Sequence, residues 1–198
     1  MWKQSPSERV AVFIDYRNVE SNMYSSLGLT RGSVWVDYED LVDQLVGDRT
    51  LTGAFIFDGV LRGYENKDAR LHSKFKLAGF TVMTTLNSIH DNGQKGVDVN
   101  LALNMFKMAN TNSYDTAIIV SNDKDFAPAV QMVRELGKKV EGAGYNSHSG
   151  DYLVSECVTW TNLEDLSLIT KNPYYNYEVE GEIEDSNIEE EMDVTTVD

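Results

Sequence analysis

The stretch Val10-Ala11-Val12-Phe13-Ile14-Asp15 is an apolar run that ends in a carboxylate. An uninterrupted run of this kind is typical of a strand that is buried on both faces of a parallel sheet. The pattern recurs at Ala117-Ile118-Ile119-Val120, which leads into Ser121-Asn122-Asp123-Lys124-Asp125. Open parallel sheets bind their ligands beyond the carboxyl ends of the strands. The two runs therefore place acidic residues where a fold of this class carries out its chemistry.

Strand and helix patterns alternate along the rest of the chain. Further strands are predicted at residues 54–57, 80–85 and 139–143, with residues 158–160 as a candidate sixth strand and Asp58-Gly59 as a turn. Apolar spacing and glycine stops predict helices at residues 36–46, 65–77, 97–109, 126–136 and 152–157, and a short helix within the polar connection 16–32. Strands separated by helices indicate an α/β fold with a parallel sheet and right-handed crossovers.

The charge of the chain is acidic and unevenly distributed. The net charge is −15 over 198 residues, and the part after residue 170 carries ten acids against one lysine. A stretch of this composition stays solvated because it has little apolar surface to bury. We therefore expect one domain at residues 1–170 and a disordered acidic tail at residues 171–198.

Composition also limits the class of protein. Cys157 is the only cysteine, which excludes an internal disulfide and a cysteine-based zinc site and is typical of a reducing compartment. The three histidines fit no metal triad. No apolar stretch approaches the ~20 residues that cross a bilayer, and residues 1–9 do not form a signal peptide. We expect a soluble cytoplasmic protein without a membrane partner.

Four motifs resemble the NYN domain, a family of the PIN-like nuclease fold that includes the LabA-like proteins. They are Phe13-Ile14-Asp15-Tyr16-Arg17-Asn18-Val19, Lys95-Gly96-Val97-Asp98-Val99, Val120-Ser121-Asn122-Asp123-Lys124-Asp125-Phe126 and Gly137-Lys138-Lys139-Val140. The resemblance extends over residues 9–168 with the motifs in the family's order. It implies a three-layer PIN-like fold around a mostly parallel sheet of strand order 3-2-1-4-5, and it implies ribonuclease activity.

The same resemblance implies an acidic site. The first and fourth predicted strands become neighbours about 4.8 Å apart, so Asp15 and Asp123 lie side by side at the switch point of the sheet. Asp98 and Asp125 complete the cluster, and Asn18 supports it. Carboxylates at short range repel one another, and a Mg²⁺ or Mn²⁺ ion would offset the repulsion and activate a water. We predict that the four aspartates hold this metal and, with Asn18, catalyse hydrolysis of RNA phosphodiester bonds.

Each central aspartate also has a purely structural interpretation. Asp15 can close a turn after its strand, Asp98 can be an acid favoured at a helix start, and Asp123 can cap the following helix. The cluster is the preferred interpretation because three independent caps need not gather at one end of a sheet. Position 104 departs from the family pattern, since Asn104 stands where many members carry Asp. This loss of one charge predicts either weaker metal binding or a loss of activity.

Substrate contacts are predicted at Arg17, Lys95, Ser121 and Asn122, which flank the acids. Affinity for RNA normally comes from Lys and Arg side chains, so an acidic chain implies selective binding in a local groove. The alternative function is a catalytically silent NYN-fold module that forms a homodimer or serves a regulatory complex. The acidic body and Asn104 favour that alternative.

Overall fold

A computed structural model of the protein describes residues 7–63, 68–87, 96–145 and 151–175. The strands are β1 (Arg9–Asp15), β2 (Val34–Val36), β3 (Thr50–Leu61), β4 (Thr81–Asn87), β5 (Thr116–Val120), β6 (Lys139–Gly144), β7 (Trp160–Asn162) and β8 (Ile169–Lys171). The α-helices are α1 (Tyr16–Leu27), α2 (Tyr38–Val46), α3 (Ala69–Leu77), α4 (Val97–Asn110), α5 (Ala127–Glu135) and α6 (Asp151–Glu156). Short 3₁₀ helices occupy Lys124–Phe126 and Leu163–Asp165.

Six strands form a parallel sheet in the order β4-β3-β1-β5-β6-β7, with β1 near its middle. The predicted α/β class and central parallel sheet are confirmed. The strand numbers differ from the predicted order because the short strand β2, which was not predicted, pairs with β8 in a separate antiparallel sheet. The sixth strand lies at Trp160–Asn162, two residues beyond its predicted start.

The core is divided by the sheet into two apolar layers. Along β1, Val12 and Ile14 pack in the layer that contains residues of α1, α2 and α3. The alternating residue Phe13 packs in the layer that contains residues of α4 and α5. All the residues from Val10 to Ile14 have no exposed surface. A continuous apolar run is therefore required here, because both faces of the strand are covered by helices.

Strand β3 is longer than its pattern predicted, and the predicted Asp58-Gly59 turn is wrong. Both residues lie inside β3, where they pair with Thr84 and Thr85 of β4. Asp58 has no exposed surface. The strand can carry this buried carboxylate because partners on α1 and α3 satisfy it, and those partners are distant in sequence.

The other helix predictions hold with shifted limits. Helix α1 begins directly after β1, so most of the predicted polar connection is helical. The N-terminal part of the predicted helix 65–77 and the predicted substrate contact Lys95 lie outside the described residues. In the described part of the chain, no helix combines the length and apolar character that crossing a bilayer requires.

Strand β8 crosses the predicted domain limit at residue 170. Strand β8 ends at Lys171, and the ring of Tyr174 lies 6.3 Å from that of Trp35. The rest of the predicted acidic tail, from residue 176, lies outside the described residues.

Gly142 and Gly144 of β6 make room for Trp160 of the neighbouring strand β7. A Cβ atom on Gly142 would lie 2.5 Å from the Trp160 ring and 2.9 Å from Cys157 Sγ. The backbone of Gly142 is not in the left-handed region, so only packing requires glycine at this position. A Cβ atom on Gly144 would likewise lie 2.8 Å from the Trp160 ring, so both glycines are needed for this ring to lie against β6.

We expect Gly142→Ala to lower the free energy of unfolding by about 1–3 kcal/mol, because the added methyl overlaps the Trp160 ring. Urea denaturation measures the change. In a Trp160→Leu background the same substitution should cost less, since the overlapping ring is gone. An equal cost in both backgrounds would show that the ring is not the cause.

Candidate active site

The carboxylate of Asp15 lies at the carboxyl end of the central strand and is almost completely buried. It caps helix α1, since the backbone N–H of Asn18 donates to Asp15 Oδ1 at 3.4 Å. The hydroxyl of Ser121 donates to Asp15 Oδ2 at 3.3 Å. Asp15 is only 3% exposed. The structure therefore gives Asp15 the capping role and also places it against the loop that follows β5.

Asn18 joins helix α1 to that loop. Its Oδ1 accepts the backbone N–H of Asn122 at 2.8 Å and the side-chain amide of Asn22 at 2.9 Å. Asn18 and Asn122 are 104 positions apart in sequence. The supporting role predicted for Asn18 thus has a specific contact, which positions the loop next to the Asp15 carboxylate.

Asn122 anchors the same loop to the end of β6. Its Nδ2 donates to the Tyr145 carbonyl at 2.7 Å, and its Oδ1 accepts the Tyr145 N–H at 3.0 Å. A Cβ atom on Gly144 would lie 2.8 Å from this amide, so the close approach requires glycine there. The side chain of Asn122 serves as a structural bracket, and its predicted substrate contact stays a prediction.

Asp98, Asp123 and Asp125 lie on two neighbouring segments. Asp123 caps the 3₁₀ helix, since its Oδ1 accepts the N–H of Asp125 at 2.9 Å. Asp98 is in the first turn of α4, which begins after Gly96 at a φ of 95°. A φ in this region favours glycine. Asp98 and Asp123 are half-buried, whereas Asp125 is exposed.

The carboxylates act on one another electrostatically. Burial raises the pKa of Asp15 to about 7, and the negative charges of Asp98 and Asp123 add to that rise. The hydrogen bonds from Asn18 and Ser121 oppose it. Burial also raises the pKa of Asp98, with further contributions from Asp123 and Asp125. The structure therefore brings the predicted aspartates into one negative region at the ends of β1, β5 and the start of α4.

This negative region is not a preformed metal centre. Within the described ranges, no group of three or more His, Cys, Asp or Glu side chains is arranged to hold a metal ion. The chemistry of the donors nevertheless suits a hard divalent cation, because carboxylate oxygens are the ligands that Mg²⁺ and Mn²⁺ prefer. A cation would also relieve the repulsion that raises the pKa of Asp15.

Arg17 lies in an ionic network on the other face of the sheet. Its Nε donates to Asp58 Oδ1 at 2.8 Å, and its Nη2 donates to Asp68 Oδ2 at 2.9 Å. His72 Nε2 is 2.8 Å from Asp58 Oδ2. The side chain of Arg17 is 34% exposed, so a phosphate there would compete with two carboxylates.

The contact between Asp58 and His72 was not predicted from the sequence. Asp58 follows an apolar strand just as Asp15 does, and this similarity was the available signal. In the pairing of β1 with β3, Asp15 lies opposite Phe57 and not opposite Asp58. Successive side chains of a strand point to opposite faces, so Asp58 faces α1 and α3 while Asp15 faces α4.

Comparisons with known proteins agree with this fold. The model of the NYN domain family matches residues 9–164. A stretch of 66 residues is 39% identical to 6-hydroxy-3-succinoylpyridine 3-monooxygenase of Pseudomonas putida, covering 31% of this chain and 21% of that enzyme. The chain thus matches about a fifth of the length of this curated relative. A solved protein of unknown function from Vibrio parahaemolyticus has a TM-score of 0.69 at 19% identity, over 85% of this chain and 100% of that chain, which shows the same fold.

We expect the stability of the protein to fall as the pH rises from about 4 to about 7. The carboxyl of Asp15 has a pKa of about 7 in the folded protein against an ordinary value of 3.8, so in this range the folded chain binds more protons than the unfolded chain. Asp15→Asn removes this titration. In EDTA at about pH 8, the variant should be more stable than the wild type by about 2 kcal/mol or more in urea denaturation, with a smaller difference at about pH 4.

The matched control for this experiment is Asp43→Asn, which removes an exposed carboxylate of α2. Its effect on stability should be within about 0.5 kcal/mol, as is usual for substitutions of exposed residues. A difference between Asp15→Asn and the wild type that does not grow with pH would contradict the raised pKa of Asp15.

We expect Asn18→Ala to release the loop after β5, because the N–H of Asn122 loses its acceptor. The predicted cost is about 1 kcal/mol of stability together with faster hydrogen exchange at the Asn122 amide, measured by NMR. Asn22→Ala removes only a donor to Asn18 and should leave the Asn122 amide protected. Unchanged exchange in Asn18→Ala would rule out this bracing role.

Proposed function

The chain belongs to the NYN domain family, a nuclease-like family, and we propose that it is a metal-dependent ribonuclease that hydrolyses RNA phosphodiester bonds. The observation that supports this function is the shared negative field of Asp15, Asp98 and Asp123 at the carboxyl end of the sheet. Parallel α/β folds bind ligands at this end. If the three aspartates were only caps of separate elements, they would not need to lie together at this end of the sheet.

Asp15, Asp98 and Asp123 would hold the Mg²⁺ or Mn²⁺ ion. When bound, such an ion supplies an activated water and offsets charge on the phosphate in the transition state. Two hydrogen bonds position the loop that carries Asp123. Asn18 of α1 accepts the N–H of Asn122, and Ser121 of the loop donates to Asp15 at the end of β1. Asp125 is exposed beside Asp123 and adds negative charge that attracts the cation.

RNA contacts are proposed at Arg17, Lys95, Ser121 and Asn122. Arg17 is partly exposed and lies two positions after Asp15 along the chain. Its guanidinium already binds Asp58 and Asp68, so a phosphate would have to compete with these two carboxylates. We propose residues 1–170 as the catalytic domain of a cytoplasmic protein, with the acidic tail outside it.

A second candidate is a catalytically silent module that forms a homodimer or serves a regulatory complex. Two observations favour it. The described carboxylates do not form a metal centre, and Asn104 uses its amide within α4, donating to Asn100 O at 2.8 Å. The match to the monooxygenase covers too little of that enzyme to transfer its activity.

The proposed activity is tested with labelled single-stranded and structured RNA in Mn²⁺, Mg²⁺ or EDTA. We expect cleavage by the wild type with either ion, none in EDTA, and a loss of at least about 100-fold in Asp98→Asn, because the ion loses a ligand. Asp43→Asn should cleave like the wild type. Gel electrophoresis of the products measures the rate.

Metal binding is measured separately from activity. If the site is correct, Mn²⁺ raises the melting temperature of the wild type and of Asp43→Asn, but not that of Asp98→Asn. Absence of cleavage together with absence of metal stabilisation would favour the silent module. Cleavage that survives in EDTA or in Asp98→Asn would contradict the proposed mechanism.

A further inference from the structure

A concave site lies in the layer of α1, α2 and α3. Its volume is about 350 Å³, and five aromatic side chains line it: Tyr16, Trp35, Tyr38, Phe75 and Phe80. This volume is within the range of small-molecule sites, which are typically apolar with a few polar groups. None of the residues proposed for the nuclease site lines this cavity.

The aromatic walls of the cavity are closely packed. The ring of Phe75 is at the centre, with its centroid 5.3 Å from Tyr38, 5.5 Å from Tyr16 and 5.7 Å from Phe80. All three contacts are edge-to-face arrangements, which aromatic pairs favour. The walls are therefore held in place before any ligand binds.

The charged residues of the cavity are mostly acidic. Three carboxylates, those of Glu20, Asp37 and Glu39, line the cavity with one lysine, Lys74. A phosphate or carboxylate ligand would meet this negative lining and be repelled, whereas a cation would be attracted.

The rim of the cavity already holds an ammonium group. Lys74 Nζ lies 5.8 Å from the centre of the Trp35 ring, a cation–π distance. Trp35 is 45% exposed, so its ring is accessible from solvent. The contact of Lys74 with Trp35 therefore indicates that the rim of the cavity is suited to an ammonium group.

Two polar groups near the cavity, the Glu20 carboxylate and the Tyr38 hydroxyl, carry a cost of burial that their surroundings do not fully offset. Burial raises the pKa of Glu20, although a hydrogen bond with Tyr16 and the charges of Arg17 and Arg31 oppose the rise. The Tyr38 hydroxyl is buried and has no hydrogen-bond partner among the described residues. A cation beside Glu20 would stabilise its charged form, and a polar ligand atom could satisfy the hydroxyl.

We propose that this cavity is a binding site for a small organic cation, a quaternary or substituted ammonium compound held by aromatic rings and the Glu20 carboxylate. The aromatic lining supplies cation–π attraction, and the acidic lining supplies charge complementarity. This site is independent of the aspartates at the carboxyl end of the sheet. Its ligand class does not depend on whether the protein cleaves RNA.

The test uses choline as the cation and 3,3-dimethyl-1-butanol as its neutral analogue of the same shape, titrated into the full chain by calorimetry and NMR. We expect choline to bind and to shift the Trp35 indole resonance, and the neutral analogue to bind at least about tenfold more weakly. Glu20→Gln should weaken choline binding about tenfold while retaining side-chain volume.

Lys74→Gln changes binding in the opposite direction. Removal of the internal ammonium frees the Trp35 ring, so choline should bind about threefold more tightly. Glu135→Gln removes an exposed carboxylate of α5 and should leave binding unchanged. Circular dichroism confirms that each variant is folded.

Four results would overturn the proposal. Equal affinity for choline and its neutral analogue would indicate only hydrophobic binding. Weaker choline binding in Lys74→Gln would place the cation elsewhere, as would unchanged binding in Glu20→Gln. Binding of a mononucleotide such as GMP more tightly than choline would assign the cavity to a nucleobase.

Discussion

The burial of a carboxylate at the end of the central strand is the constraint on which the rest of the site depends. Asp15 is only 3% exposed, and its burial together with the charges of Asp98 and Asp123 raises the pKa of its carboxyl. Such an arrangement costs stability and persists in folded proteins mainly where it serves a function. The neighbouring hydrogen bonds offset only part of this cost. The region is therefore suited to capture a compensating positive charge.

A set of amide contacts holds this region in shape. Asn18 bonds to the backbone of Asn122, whose own side chain bonds to Tyr145, so α1, β5 and β6 are joined through one loop. On the opposite face, Asp58 fixes Arg17 and His72. The two faces carry different polar systems because neighbouring strand residues point in opposite directions. The organic-cation cavity belongs to the second face, and the acidic site belongs to the first.

Sequence patterns predicted the strands of the sheet better than the roles of its polar residues. Apolar runs identified β1 and β5 because both faces of these strands are covered. The two-stranded sheet of β2 and β8 was missed, since three-residue strands carry little periodic signal. Asp58 was assigned to a turn because Asp-Gly is a common turn sequence, and only its partners on α1 and α3 make a strand position acceptable. The gathering of Asp15, Asp98 and Asp123 was predicted through the resemblance to a family.

The amino-acid sequence by itself determined the alternating α/β architecture and the presence of acids at the ends of two adjacent strands. The α/β alternation follows from local hydrophobic patterns. The adjacency of the two strands follows from the strand order that the family resemblance implies. Only the tertiary structure decided how those acids are distributed between the faces, how their charges interact, and that five aromatic rings enclose a cavity with Glu20. Distances between side chains far apart in sequence depend on helix packing against the sheet, and no local pattern encodes them.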